Sequence, residues 1–355
     1  MKKYITKFFL LLIIIFSSSV LTFSQSDEVS KKTPTQTPTQ TSQQPTQTPQ
    51  QNEQTKTEDE DLNVEAIKIG GEVVLLNVLV TDTKNRYAEN MRKEEFELYE
   101  DNKKQEISFF SRQNEPISLC IMVDASTSMI ENGKLLEALK AAKALIANSN
   151  KSDEACLMKF DDRVTLIQDF TSDQNLLFTQ TDRIKPYGGT AIYDALIRGM
   201  VHTNKNSKRL RQAIVLITDG LDQHSNKAFQ DVIPIAQLTG IPCYMIGIYS
   251  PEEKQAFSTG QQKIKLDTGV MVDNPEVILT RLAEETAGRV FFPSSEKELV
   301  VIAEKIANEL RSGYAVGYYP PNTSLDGKYH SISIVSKSKK YLVRARRGYI
   351  SKLPE

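Results

Sequence analysis

A nearly unbroken apolar run, Ile117-Ser118-Leu119-Cys120-Ile121-Met122-Val123, ends on Asp124-Ala125-Ser126-Thr127-Ser128, and a helical pattern starts a few residues later. A strand apolar on both faces and followed by a helix belongs in a mainly parallel α/β sheet. The same spacing puts one carboxylate and two hydroxyls at alternate positions just past the strand's carboxyl end, where open α/β sheets bind ligands. Two later loops supply matching pieces, Gly188-Gly189-Thr190 and Thr218-Asp219-Gly220. Asp124, Ser126, Ser128, Thr190 and Asp219 therefore read as one site drawn from three loops. Hard oxygen donors of this kind suit Mg²⁺ or Mn²⁺ better than zinc or copper.

From residue 117 onward strands alternate with helical patterns. Leu135, Leu139, Ala142 and Ile146 fall at helical spacing. Two apolar runs, 155–160 and 164–167, flank Asp161-Asp162-Arg163 and predict a hairpin that adds one antiparallel edge strand. Helices are expected over 190–200, 228–239 (stopped by Gly240), 275–287 and 296–311, with strands at 213–217, 243–248 and 289–292. The polar stretch 251–275 reads as an irregular surface loop. The fold class expected for 116–312 is α/β: a doubly wound, Rossmann-like, mainly parallel sheet with one antiparallel edge strand.

The flanks are β-rich. Segments 72–82, 96–100 and 107–110 precede the α/β region; 314–319, 328–335 and 341–346 follow it, the last two expected to pair through the 336–340 turn. The flanks 63–115 and 313–352 are expected to pack together as one small β module, with Tyr318, Tyr319 and Tyr349 as core or interface aromatics. The N-terminus has the pattern of an export signal over 1–24: Lys2, Lys3 and Lys7, an apolar run to Phe16, then small residues before Gln25. Retention as an anchor is the alternative, and no other membrane span is expected. Residues 25–62, rich in Thr, Pro and Gln, are expected to be a disordered linker.

Lys and Arg number 44 against 45 Asp and Glu, so no charge excess points to nucleic acid. The three cysteines lie in apolar runs and are expected to be buried thiols rather than zinc ligands.

Asp124-x-Ser126-x-Ser128, Thr190 in Gly188-Gly189-Thr190, and Asp219 in Thr218-Asp219-Gly220 resemble the metal-ion-dependent adhesion site of the von Willebrand factor type A domain, with all five positions filled in order. The flanks also resemble a bacterial subgroup of exported proteins with this domain. The resemblance implies that Ser126, Ser128 and Thr190 touch the ion directly or through a water, and that Asp124 and Asp219 act largely through waters. It also implies a partner protein that offers a carboxylate to the ion, and a last helix whose shift can alter affinity. Asp194 reads as helix-dipole stabilisation or a supporting contact. Asp222 and His224 read as rim residues, with a solvated loop as the plainer account of His224.

The expectation is a non-enzymatic, cation-dependent binding or adhesion-type protein that is periplasmic, at the cell surface or secreted. One alternative is an envelope scaffold bound through the β module without metal. The other is a metal-dependent hydrolase, for which Ser126 or Ser128 would need a positioned base among only three histidines.

Overall fold

The computed structural model describes residues 73–112, 115–265, 269–321 and 326–351. The signal-peptide and linker expectations lie outside the described residues. In chain order the strands are β1 (Val74–Asp82), β2 (Phe96–Glu100), β3 (Lys103–Gln105), β4 (Phe109–Arg112), β5 (Ile117–Asp124), β6 (Glu154–Phe160), β7 (Val164–Thr171), β8 (Arg211–Thr218), β9 (Cys243–Gly247), β10 (Lys263–Lys265), β11 (Met271–Asp273), β12 (Val290–Phe291), β13 (Tyr314–Tyr318), β14 (Tyr329–Ser336), β15 (Tyr341–Arg344) and β16 (Gly348–Ile350). The helices are α1 (Lys134–Ala147), α2 (Gln174–Thr181), α3 (Ile192–Asn206), α4 (Phe229–Thr239), α5 (Pro251–Phe257), α6 (Pro275–Glu285) and α7 (Glu296–Ser312).

The larger sheet has the order β12-β9-β8-β5-β6-β7; every neighbour pair is parallel except β6 with β7. Central strand β5 shows why both faces must be covered. Leu119, Ile121 and Val123 join one apolar cluster with α1 and α7, while Cys120 and Met122 join another with α3, α4 and α6. Each Ile or Leu so buried contributes about 1.5–3 kcal/mol. All three cysteines are buried and free. From β5 the chain runs outward to β6 and β7, then returns to β8 on the other side. That reversal makes the β5/β8 boundary the switch point, where a crevice opens at the strands' carboxyl ends.

The flanks form two four-stranded sheets, β15-β1-β13-β4 and β16-β14-β2-β3. Strand β1 pairs with β13 and β15, and β2 with β14, so each sheet combines strands from both ends of the chain. Leu76, Val78, Phe96, Leu98, Tyr314, Tyr318 and Ile334 fill the space between them. Tyr349 is buried there too, whereas Tyr319 is exposed.

Two local expectations need correction, and one helix has no counterpart among them. The stretch 251–275 is not irregular: it holds α5 and the β10–β11 hairpin. Ser250 Oγ caps α5 by accepting from the Glu253 amide, Glu253 Oε2 accepts in return from the Ser250 amide, and Pro251 opens the first turn. Strands β14 and β15 do not pair; β14 lies in one sheet and β15 in the other. Alternation along β14 specifies a half-buried strand but not its partner, which long-range packing chooses. Helix α2, capped by the Asp173 side chain, carries little helical apolar pattern in its short sequence.

Candidate functional site

The switch point brings the carboxyl ends of β5 and β8 together. Buried Asp124 ends β5; its Oδ1 accepts from Ser126 N at 2.9 Å, and its Oδ2 from Thr218 Oγ1 at 2.5 Å. Thr218 Oγ1 in turn accepts from Gly220 N at 2.9 Å, which turns the chain sharply past Asp219. Gly220 sits at φ +84° with Pro275 and Tyr249 close by, so a side chain there would be both strained and crowded. Ser126 Oγ and Ser128 Oγ stand 3.0 Å apart.

The third loop is stitched to the first. Thr127 donates its amide (3.1 Å) and its hydroxyl (2.9 Å) to Gly188 O, and Tyr187 N donates to Ala125 O at 2.7 Å. Thr190, two residues further on, is buried, and its carbonyl accepts from Gln223 N and His224 N. The exposed His224 ring lies over Gly189: a Cβ there would stand 2.0 Å from Nδ1. Asp222 Oδ1 accepts from Ile192 N at 2.7 Å and so caps α3 from a neighbouring loop. Asp194 accepts from the amides of Asn226 and Lys227, both at 2.9 Å. Asp194 and Asp222 thus fasten the loops around Thr190, and His224 edges them.

The electrostatics are unbalanced. Burial, reinforced by the nearby Asp219 charge, pushes the Asp124 carboxyl up to about 7. Asp219 is buried; its Oδ2 accepts from Lys134 Nζ at 2.8 Å, while its Oδ1 has no hydrogen-bond partner among the described residues. Lys134 also pairs with Glu253 at 3.0 Å. Burial works against its ammonium, but the Asp219 and Glu253 carboxylates outweigh burial and hold its pKa above the ordinary lysine value. Lys134, Glu253 and Thr218 had not been placed at the site. Thr218 directly precedes Asp219 and could have been found; Lys134 reads in sequence as an ordinary solvent-facing lysine at a helix start.

Residues 119–221 match the family model of the von Willebrand factor type A domain. This segment is similar to the von Willebrand factor type A domain. An uncharacterized protein of Synechocystis sp. is 32% identical over 114 residues, which span 31% of this chain and 27% of that protein. Among solved structures, a von Willebrand factor type A protein from Catenulispora acidiphila aligns with a TM-score of 0.45 at 12% identity, covering 73% of this chain and 74% of that one. The conserved hypothetical protein BatB from Bacteroides thetaiotaomicron aligns at 0.42 and 18% identity, covering 54% and 98%. The vWF domain of the type V pili tip protein Mfa5 from Porphyromonas gingivalis aligns at 0.41 and 13% identity, covering 56% and 95%.

Outside the matched segment, Glu100, Asp101 and His330 also cluster. Their polar atoms are already engaged. His330 Nδ1 meets Asp101 Oδ2 at 2.7 Å and Nε2 meets Asp326 Oδ1 at 3.0 Å, while Glu100 accepts from Tyr318 and Tyr349. Such a cluster serves as an internal clasp of the β module.

Proposed function

We propose that this chain is an exported, non-enzymatic binding protein whose von Willebrand factor type A domain captures an acidic side chain of a partner protein through Mg²⁺ or Mn²⁺. Asp124, Ser126, Ser128, Thr190 and Asp219 would hold the ion. The observation that carries this reading is the buried Asp219 Oδ1, left without a hydrogen bond at the switch point beside a second buried carboxylate. An unpaired buried carboxylate oxygen is costly, and two like charges raise the cost. A divalent cation relieves both, and the neighbouring hydroxyls are neutral hard donors that fit it. A shell rich in neutral donors leaves the bound ion electrophilic toward an incoming carboxylate.

The histidine positions also favour binding over catalysis. His202 pairs with Asp169, His330 lies in the β module, and His224 covers Gly189. Among the described residues no imidazole is hydrogen-bonded to Ser126 or Ser128, so no histidine is placed as a base for either hydroxyl. Export rests on the signal pattern of residues 1–24.

The test is affinity capture from an envelope fraction with the full chain in Mg²⁺ and in EDTA, beside Asp124→Ala. The expected outcome is a partner retained by the wild type in Mg²⁺ and absent from the other samples. Equal retention in EDTA overturns the reading and favours a metal-independent scaffold.

A further inference from the structure

At the amino end of β8, opposite the metal-type site, lies a cavity of about 400 Å³ between the α/β sheet and the β module. Its volume is in the range of small-ligand pockets. Arg209, Arg211 and Arg346 all line it, and each carries a buried guanidinium nitrogen without a hydrogen-bond partner: Nε in all three, and Nη1 as well in Arg211. Arg211 is only 6% exposed. Among the described residues none of the three makes an ion pair. Arg346 donates to the Gln237 and Leu75 carbonyls, which satisfy hydrogen bonds but supply no charge.

Two carboxylates face Arg211. Asp153 is committed to the amides of Ile117 and Asn150 and to Arg311. Glu115 is exposed at the cavity and pairs with none of the arginines. Arginine does not shed its proton at physiological pH, so a buried unpaired guanidinium must carry its desolvation cost or find an anion. The rest of the lining mixes polar residues, among them Lys208, Ser207 and Gln212, with an apolar wall that is partly exposed: Leu75 at 42%, Phe109 at 39% and Leu210 at 75%.

We propose that this cavity binds an amphiphilic carboxylate, its head held by Arg209, Arg211 and Arg346 and its apolar body against Leu75, Phe109 and Leu210. Guanidinium forks match a carboxylate in bidentate geometry. A bare inorganic anion would leave the apolar wall wet, and a phosphate monoester would bring nearly two charges toward Glu115. The head-and-body chemistry is shared by a fatty acid and by a peptide C-terminus ending in an apolar residue.

The full chain in EDTA, where the cation site plays no part, is titrated with octanoate, a tetrapeptide with a free C-terminal leucine, acetate, inorganic phosphate and octan-1-ol, following Tm and heat. Saturable binding of octanoate or the peptide, at least tenfold tighter than acetate, phosphate or octanol, is expected; the tighter of the two identifies the source. Arg211→Met abolishes the response and raises the Tm of the unliganded protein, because an orphaned charge is removed. Leu210→Asp, a surface change, weakens binding at least tenfold with unliganded Tm unchanged, and so serves if Arg211→Met does not fold. No saturable binding, an equal response to phosphate or octanol, or binding that survives both substitutions overturns the proposal.

Discussion

The two ends of β8 carry opposite imbalances. The strand begins on Arg211 and ends on Thr218, with Asp219 next, so the two charges lie roughly 25 Å apart at about 3.3 Å per residue. At the carboxyl end, Asp124 and Asp219 are both buried, and the one buried lysine among the described residues, Lys134, pairs with Asp219 and with half-buried Glu253. At the amino end, Arg209, Arg211 and Arg346 have no carboxylate partner among the described residues. Glu309 of α7 shows what a balanced buried charge looks like. It accepts from Tyr244 Oη at 3.0 Å and Arg289 Nη1 at 3.2 Å, and it pairs with Arg344 of β15, tying the last helix of the α/β region to the β module. The saturated Glu309 network holds the parts together; the two unsaturated ends of β8 are where the proposed cation and the proposed carboxylate would complete the charge.

The largest test of this contrast is Lys134→Met. Removing the one ammonium from Asp219 should cost about 3–5 kcal/mol in metal-free urea unfolding, the usual penalty for breaking a buried pair. Mg²⁺ should restore part of that loss. An unchanged midpoint would mean that the carboxyl end is not short of positive charge.

Asp124→Asn comes next. In the wild type, Mg²⁺ at a hundredfold excess over its Kd should add about 2.7 kcal/mol to stability. The variant should lose most of that gain, read as the Tm difference between Mg²⁺ and EDTA, while keeping its metal-free Tm or exceeding it.

A smaller effect is expected with pH. The folded Asp124 carboxyl titrates near 7 rather than at the ordinary 3.8, so the folded state retains a proton that the unfolded state has lost. Metal-free stability should therefore fall as pH rises from about 4 to 7, and the Mg²⁺ gain should grow over the same interval. Equal Mg²⁺ gains at pH 5.5 and pH 8 would contradict this.

The smallest effect belongs to the clasp. Burial disfavours the charged His330 ring, but its bonds to Asp101 and Asp326 prevail and raise its pKa above the ordinary 6.5. Its contribution is complete below pH 6.5 and is lost as pH rises through the folded value. At this partly screened site it should be under about 1 kcal/mol. His330→Gln should flatten that part of the pH–stability curve.

Much of the α/β region was legible from pattern. Residues 117–123 read as a buried strand because apolar side chains occupy both faces, and Gly240 marked the end of α4 because it sits at the left-handed C-cap. Asp124, Ser126 and Ser128 stood out because donors at alternate positions after a strand are unusual. The polar 251–275 stretch misled because composition outweighed the Ser250-Pro251-Glu252-Glu253 start signal. The β14–β15 pairing misled because neighbours in sequence suggest a hairpin, whereas here the chain crosses between layers.

The sequence by itself determined the strand and helix periods and the kind of atom offered at each strand end, since both depend on residues a few positions apart. Only the tertiary structure decided that Lys134 reaches Asp219, 85 positions away, and that Arg209, Arg211 and Arg346 meet around one cavity. The reason is electrostatic. Whether a buried charge is satisfied depends on every group within a few ångströms, and those neighbours come from parts of the chain that no local pattern connects.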